Sequence, residues 1–221
     1  VADAGYIIGP RAHDRVEAIL QHHAHDADVC FHAALLYKKL SLFDRAIPWF
    51  EKAIGIARST GKAISPQALI DCAEVRLTRG DKDQAKRDVL ESLQRSDLPP
   101  YLIGRAVRFL HDADPLAIES AARLPAISQL DEPAVVRVTE YLMASRELLR
   151  TSKCILVAWK EAYSQTQDKD DSGWRNQLVL TLIGLGDFGE AVQLLESRIQ
   201  GESDPDIADV FNYAMASWGL T

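Results

Sequence analysis

The stretch that decides the fold runs ADVCFHAALLYKKLSLFDRAIPWFEKAIGIARST from Ala27 to Thr60. Apolar residues recur in it at intervals of three and four on both sides of residues 42–47, which predicts two helices joined by a short turn. A small residue, Ala46, follows the turn, and an aromatic residue, Phe50, stands one helical turn further on. We interpret the stretch as an antiparallel pair of helices.

The same arrangement occurs twice more along the chain. The turns lie at residues 80–86 and 186–192, and Val89 and Leu195 take the place of the aromatic residue. A helix pair of this kind cannot bury its apolar face alone, so neighbouring pairs stack on one another. The sequence therefore predicts an all-α fold, an α-solenoid of stacked antiparallel helix pairs. Such scaffolds bind other polypeptides.

Composition and charge restrict the classes of function. The chain has 221 residues, of which 47% are hydrophobic and 26% charged, so it has enough apolar material for a core. The net charge of -7, without a basic cluster, argues against nucleic-acid binding. The longest apolar run, residues 178–185, is too short for a membrane span.

The three cysteines lie far apart in apolar helical stretches: Cys30, Cys72 and Cys154. An odd number of cysteines in such positions predicts buried, reduced thiols and a cytoplasmic location. The chain begins at Val1 and shows no basic leader before an apolar stretch, so we expect it to be a fragment of a larger protein.

Residues 27–60 resemble the tetratricopeptide repeat, whose helix pairs recur about every 34 residues. The residues that carry the resemblance occupy small and aromatic positions of both helices: Ala34, Tyr37, Phe43, Ala46, Phe50 and Ala53. Cys30 replaces the usual Trp, and Ser41 replaces the usual Gly.

Residues 66–99 and 172–205 resemble the repeat more loosely, with Gly and then Ala at each turn. Between them we expect two degenerate helix pairs within residues 100–171, namely 101–111 with 115–124 and 133–144 with 148–163. Residues 11–22 and 207–220 are expected to be single helices, which are partial repeats at the two ends. One solenoid domain then spans residues 1–221.

The resemblance implies a right-handed superhelix whose concave face, lined by first helices, binds a protein or peptide. Transferred by register, this face carries Phe31, Leu35, Lys38, Ile70, Glu74, Leu77, Asn176, Leu180, Ile183, Phe211, Met215 and Trp218. Family members that bind chaperone tails use Lys and Asn there to hold a carboxylate, but Phe31 and Leu35 stand where the key pair would be. We therefore expect an apolar groove suited to an amphipathic helix. Alternatively, these side chains pack against neighbouring repeats, a flanking helix or a second copy of the chain.

The stretch from Gly184 to Gly189 matches the glycine-rich fingerprint of dinucleotide-binding sites. Such a site requires a preceding strand, here residues 178–183, and an acidic residue about twenty positions later, such as Asp204 or Asp206. The rest of the chain offers no parallel strands, and the helix-pair interpretation already accounts for this turn. A dinucleotide-binding enzyme is therefore a remote alternative.

Two further motifs favour solvated segments over metal sites. Residues 168–173 start like a calcium loop, but Val179 stands where the bidentate Glu is needed. His22 and His25, with Asp26, offer a borderline metal set, although histidines at a helix end are a simpler interpretation. No nucleophile elbow, zinc-binding helix or phosphate loop is found in the sequence. We expect no cofactor, no metal and no enzymatic activity.

The sequence thus favours a noncatalytic scaffold or adaptor that binds a polypeptide segment on its concave face. The second interpretation is a regulatory or oligomerisation domain that packs on its own protein, with a homo-oligomer as one form of it. Sequence alone does not distinguish these two uses of an apolar surface.

Overall fold

The structure is a computed structural model that describes residues 10–163, 173–200 and 207–220. These residues form thirteen α-helices, two short 3-10 helices and no strand, which confirms the all-α prediction of paired helices. The chain divides into two compact units, unit 1 with residues 1–88 and unit 2 with residues 89–221. Whether both belong to one continuous solenoid domain stays a prediction. Within the described ranges, no helix has both the length and the apolar character needed to cross a membrane.

Unit 1 is built around one helix pair. Its elements are α1 (Pro10–His23), α2 (Ala27–Lys39), α3 (Phe43–Ser59), α4 (Pro66–Thr78) and the first half of α5 (Lys82–Leu93). Helix α2 packs against α3, and this pair is flanked by α1 on one side and α4 on the other. The pair buries Ala34 and Tyr37 of α2 against Ala46 and Phe50 of α3. These are the residues whose spacing predicted the pair.

Unit 2 continues with helices in two rows. After the rest of α5 come α6 (Pro100–Ala113), η1 (Pro115–Ala117), α7 (Ile118–Ala122), α8 (Pro125–Ser128), α9 (Glu132–Met143), η2 (Arg146–Leu148), α10 (Leu149–Tyr163), α11 (Gly173–Leu185), α12 (Phe188–Ile199) and α13 (Ile207–Gly219). Helices α6, α9, α11 and α13 pack in succession. Helix α10 packs against α11, and helix α12 packs against α13. Helices therefore occupy the segments where two degenerate pairs were expected.

One expected helix is interrupted. Residues 115–124 were predicted to be one helix, but they form η1 and the short α7. The carboxylate of Asp114 accepts a hydrogen bond from the Leu116 amide at 3.1 Å and starts the segment. Leu124 has an extended backbone, with ψ of 154°, because Pro125 follows it and excludes the helical conformation. The proline then begins α8.

In three helix pairs, a residue with positive φ ends the first helix of the pair. The residues are Ser41 after α2, Gly80 after α4 and Gly186 after α11, with φ of 58°, 85° and 80°. In each case the next amide donates a hydrogen bond back across the helix end, as Leu42 N does to Tyr37 O at 2.9 Å. This left-handed helix ending reverses the chain toward the second helix. Ser41 adopts it at the position where the repeat usually has Gly.

Hydrogen bonds from the buried side chains of Tyr37 and Arg76 connect successive helices in unit 1. The Tyr37 hydroxyl donates a hydrogen bond to Glu17 Oε1 of α1 at 2.5 Å. At the equivalent position of α4, Arg76 Nη2 donates to Glu51 Oε1 of α3 at 2.6 Å, and Nη1 donates to the Asp88 carboxylate of α5. Glu17 and Glu51 are about one repeat period apart. Arg76, which departs from the repeat pattern, therefore keeps the contact that Tyr37 makes and adds a second one.

The helix-ending turns lead to a reciprocal test. We expect Ser41→Gly to raise the free energy of unfolding by about 0.5–1 kcal/mol, because Gly adopts positive φ without steric cost. Gly80→Ser should lower it by about 1 kcal/mol. No atom lies within 4 Å of a Cβ added at Gly80, so the cost there comes from the backbone alone. Urea unfolding of both variants measures the two changes, and changes of the same sign would contradict this account.

The Arg76 contacts lead to a second test. Arg76→Met should lower the free energy of unfolding by about 3–5 kcal/mol, because the buried Asp88 carboxylate loses its cation. Arg79→Met is the matched control, since Arg79 pairs with Asp44 where both side chains are exposed. A surface pair of this kind contributes about 0–1 kcal/mol. Equal losses in the two variants would show that the buried pair has no special role.

Candidate functional site

Five of the predicted groove residues lie on neighbouring stripes of α2 and α4, and all five are half-buried. We call this surface the α2–α4 strip; its residues are Phe31, Leu35, Lys38, Glu74 and Leu77. The spacing of the first three residues places them on one face of α2, two helical turns long. Helix α4 contributes the other two from one of its faces.

Lys38 joins the two helices of the strip. Its ammonium group donates hydrogen bonds to Asp71 Oδ1 at 2.6 Å and to the Glu74 carboxylate. The Asp71 side chain is only 4% exposed, so it holds the cation close to the protein core. Because both carboxylates face Lys38, its charge is compensated within unit 1. The strip thus offers apolar contacts rather than a cation for an acidic ligand.

The sixth predicted residue of unit 1 lies elsewhere. Ile70 is fully buried, whereas its register predicted a surface position on the groove. Helix α4 is covered along most of its circumference, since Ala68, Leu69, Cys72 and Ala73 are also buried. Ile70 therefore belongs to the core in this structure and presents no surface to a ligand.

The core supports the aromatic end of the strip. The rings of Phe31 and Phe50 pack with centroids 6.1 Å apart and planes tilted by 54°.

Beside Phe31 lies a cavity of about 410 Å³ between the start of α2, the end of α3 and the following loop. Polar groups of Asp26, Thr60 and Lys62 line it together with apolar side chains. Asp26 Oδ1 accepts a hydrogen bond from Asp28 N at 2.8 Å and so caps α2.

The predicted residues of unit 2 fall into separate groups. Asn176 lines a cavity of about 340 Å³ with Lys160 and Trp174, while Leu180 is exposed on α11. Another cavity of unit 2, a cleft of about 380 Å³, is lined by Ile183, Met215 and Trp218 together with Phe188 and Gly219. Phe211 lies on the same helix as Met215 and is 63% exposed. Whether any of these residues binds a peptide stays a prediction.

The sequence did not predict the close approach of Gly219 to Phe188 at this cleft. A Cβ atom added at Gly219 would lie 2.6 Å from ring atoms of Phe188, so only Gly allows α13 to pack this closely on the start of α12. The sequence identified Phe188 only as a turn residue. No signal in the sequence pointed to Gly219, because the two residues meet through tertiary packing.

The dinucleotide alternative is contradicted by the backbone. Residues 178–183 lie within α11 and are not a strand, so the turn from Gly184 to Gly189 joins two helices. A Cβ at Gly184 would come within 3.0 Å of Leu149 Cδ1, which shows that this Gly serves the contact between α10 and α11. Asp204, Asp206 and the calcium-like residues 168–172 lie outside the described residues. Among the described residues, no three His, Cys, Asp or Glu side chains are placed to hold a metal ion.

The cysteines are placed as structural residues. Cys30 and Cys72 are fully buried, Cys154 is half-buried, and all three are free thiols. Burial raises the pKa of the Cys72 thiol to about 12, which keeps it protonated. Burial also raises the pKa values of Cys30 and Cys154. A thiol in this state is a poor nucleophile.

Comparison with known protein families agrees with the helix pair at residues 27–60. Residues 27–60 match the tetratricopeptide repeat family, which confirms the resemblance read from those residues. No curated protein gives a significant sequence match to the chain.

Matches to three solved structures extend over nearly the whole chain at low identity. Yeast Tom70 is 14% identical with a TM-score of 0.44, and the match covers 96% of this chain but only 43% of that one. YrrB, a TPR protein with an unusual peptide-binding site, is 14% identical with a TM-score of 0.41, covering 93% of this chain and 97% of its own. Acl4, the assembly chaperone of RpL4, is 14% identical with a TM-score of 0.28, covering 96% of this chain and 97% of its own.

The bridge within the strip leads to a test with a neighbouring control. Lys38→Met should lower the free energy of unfolding by roughly 1–3 kcal/mol, because the Asp71 carboxylate loses a charged hydrogen-bond donor. Lys39→Met removes the same charge from the next, exposed position and should change it by less than about 0.5 kcal/mol. Chemical unfolding monitored by circular dichroism compares the two. If both variants are as stable as wild type, Lys38 does not hold the strip together.

Proposed function

We propose, from the premise that residues 27–60 form a tetratricopeptide repeat, that this chain is a noncatalytic interaction module. In this proposal it binds a polypeptide segment of another protein along the α2–α4 strip. The observation that carries the proposal is the placement of Phe31 and Leu35. They lie on the outer stripe of the repeat's first helix, half-exposed and supported by core residues.

The chemistry of the strip favours an apolar ligand stripe over a charged terminus. Phe31, Leu35 and Leu77 offer apolar surface, and Lys38 is already engaged by Asp71 and Glu74. The distance along α2 from Phe31 to Lys38 is about 10 Å, or two helical turns. An amphipathic helix presents apolar residues at the same spacing. We therefore propose such a helix as the ligand.

Support by the core also favours binding energetically. Phe31 and Leu35 pack on residues of the α2/α3 pair, so little side-chain entropy is lost when a ligand covers them. A mainly apolar strip whose Lys38 already faces two carboxylates, on a chain with a net charge of -7, also agrees with a protein ligand rather than nucleic acid. The cytoplasmic setting remains part of the proposal, and the three free thiols support it.

The test begins with selection of binding sequences. A displayed library of roughly 20-residue peptides is selected on the 221-residue chain, and enriched peptides are titrated by fluorescence anisotropy. We expect enriched peptides to show apolar residues at helical spacing. Leu35→Glu should weaken their binding by at least about 10-fold, because one buried leucine contributes about 1.5–3 kcal/mol.

The control for this experiment is Leu42→Glu. Leu42 is an exposed leucine of the same unit, in the turn between α2 and α3, and it lies off the strip. The control should bind the selected peptides as wild type does, and circular dichroism should show equal helicity in both variants. Selected peptides that bind Leu35→Glu as tightly as wild type would refute the α2–α4 strip as the binding surface.

A further inference from the structure

The cavity of about 410 Å³ beside Phe31 continues the α2–α4 strip toward the starts of α2 and α4. Along α2, Phe31 lies one helical turn before Leu35, and Asp28, which also lines the cavity, lies about one further turn before Phe31. Ala68 brings the first turn of α4 to the same cavity. The cavity therefore lies at one end of the strip and is not a separate surface.

The walls of the cavity are internal elements of unit 1. They come from α2, α3, the loop that leaves α3 and the start of α4, and the structure describes all of these. The hydrogen bond from Tyr37 to Glu17 places the earlier part of α1 beside the other end of α2. The space at the start of α2 is therefore left open by the side chains that surround it.

The inside of the cavity is apolar. Four buried side chains line it, three of them alanines: Ala53, Ile54, Ala57 and Ala68. Because an alanine side chain ends at Cβ, these positions leave room that longer side chains would fill. Phe31 forms one wall, and its ring packs on Phe50 with centroids 6.1 Å apart. An apolar space with a fixed aromatic wall suits an aromatic side chain of a ligand.

The rim of the cavity is polar and has an excess of negative charge. The carboxylates of Asp26 and Asp28 line it together with the ammonium group of Lys62, and all three side chains are exposed. Thr60 Oγ1 donates its hydrogen to Ile56 O at 2.8 Å, so its oxygen is left to accept a further hydrogen bond. A ligand side chain that ends in a donor therefore fits this rim better than one that ends in an acceptor.

We propose that the cavity receives an aromatic side chain of the bound helix whose tip donates a hydrogen bond, which means Trp or Tyr. The inference rests on the proposed function, because this side chain belongs to the helix that lies along the α2–α4 strip. The ring fills the apolar interior beside Phe31, and the indole N–H or phenol O–H reaches the acceptors of the rim. Aromatic residues in such pockets carry much of the binding energy of an interface, so this anchor determines which helices the strip selects.

The position of the cavity sets the sequence pattern of the ligand. Asp28 and Leu35 are about seven residues apart along α2, a distance of about 10 Å or two helical turns. A bound helix that spans this distance carries its aromatic anchor about seven residues from the apolar residue that covers Leu35. Peptides selected on the chain should show Trp or Tyr at this spacing. Enrichment of aliphatic or basic residues there would contradict the proposal.

Ala27→Phe tests the cavity directly. Ala27 lines the cavity from the first turn of α2 and is half-buried, so a phenyl ring at this position occupies the space. Fluorescence anisotropy should show at least about 10-fold weaker binding of the anchored peptides. Ala27→Ser is the matched control, because its small side chain leaves the cavity open, and it should bind as wild type does. Circular dichroism should show equal helicity in both variants.

Changes in the peptide complete the comparison. An anchor replaced by Ala should bind wild type at least about 10-fold more weakly, and this peptide should not distinguish wild type from Ala27→Phe. An anchor replaced by Phe keeps the ring without the donor and should bind about 2–10-fold more weakly.

The two variants separate the anchor from the strip. Peptides that depend on Leu35 but bind Ala27→Phe as tightly as wild type would refute the anchor and support the strip. Peptides that respond to Ala27→Phe but not to Leu35→Glu would support the anchor and refute the strip. Selected peptides that respond to neither variant would refute both.

Discussion

The α2/α3 pair depends on a single backbone constraint, the positive φ that reverses the chain at Ser41. This conformation lets the Leu42 amide return to the Tyr37 carbonyl, ends α2 and starts α3 within three residues. The core contact between Phe31 and Phe50 follows from that reversal, since a longer connection would change the register of the two helices. Gly80 and Gly186 solve the same problem at α4 and α11. A residue in the left-handed conformation is therefore common to all three turns. Ser41 adopts this conformation although its side chain makes it sterically unfavourable.

Polar contacts then determine which surfaces remain for binding. In unit 1 they fasten helices to one another: Tyr37 to α1, Arg76 to α3 and α5, and Lys38 to α4. Each of these groups finds its partner inside the unit, so what the α2–α4 strip presents to the surroundings is mainly apolar. In the proposed binding mode, this arrangement favours an amphipathic helix over an acidic tail as the ligand of the strip. Lys38, the cation of the strip, instead pairs with Asp71 and Glu74 within the unit.

The two apolar surfaces of the chain differ in their physical state. On the strip, Phe31 and Leu35 are half-buried and packed on the core, so a ligand covers only their outer sides. On α13, Phe211 and Trp218 are mostly exposed.

The sequence by itself determined most of the helices and the turns between them, because these depend on local periodicity and on residues such as Gly80 and Gly186 that suit a left-handed turn. It missed the interruption within residues 115–124. It also predicted the α2 stripe of the candidate site, since spacing along one helix fixes which side chains share a face. Tertiary structure alone decided that Ile70 is buried, that Lys38 is held by Asp71, and that Phe188 requires Gly219. Each of these depends on a contact between helices distant in sequence, and helical periodicity carries no information about which neighbour covers a given face.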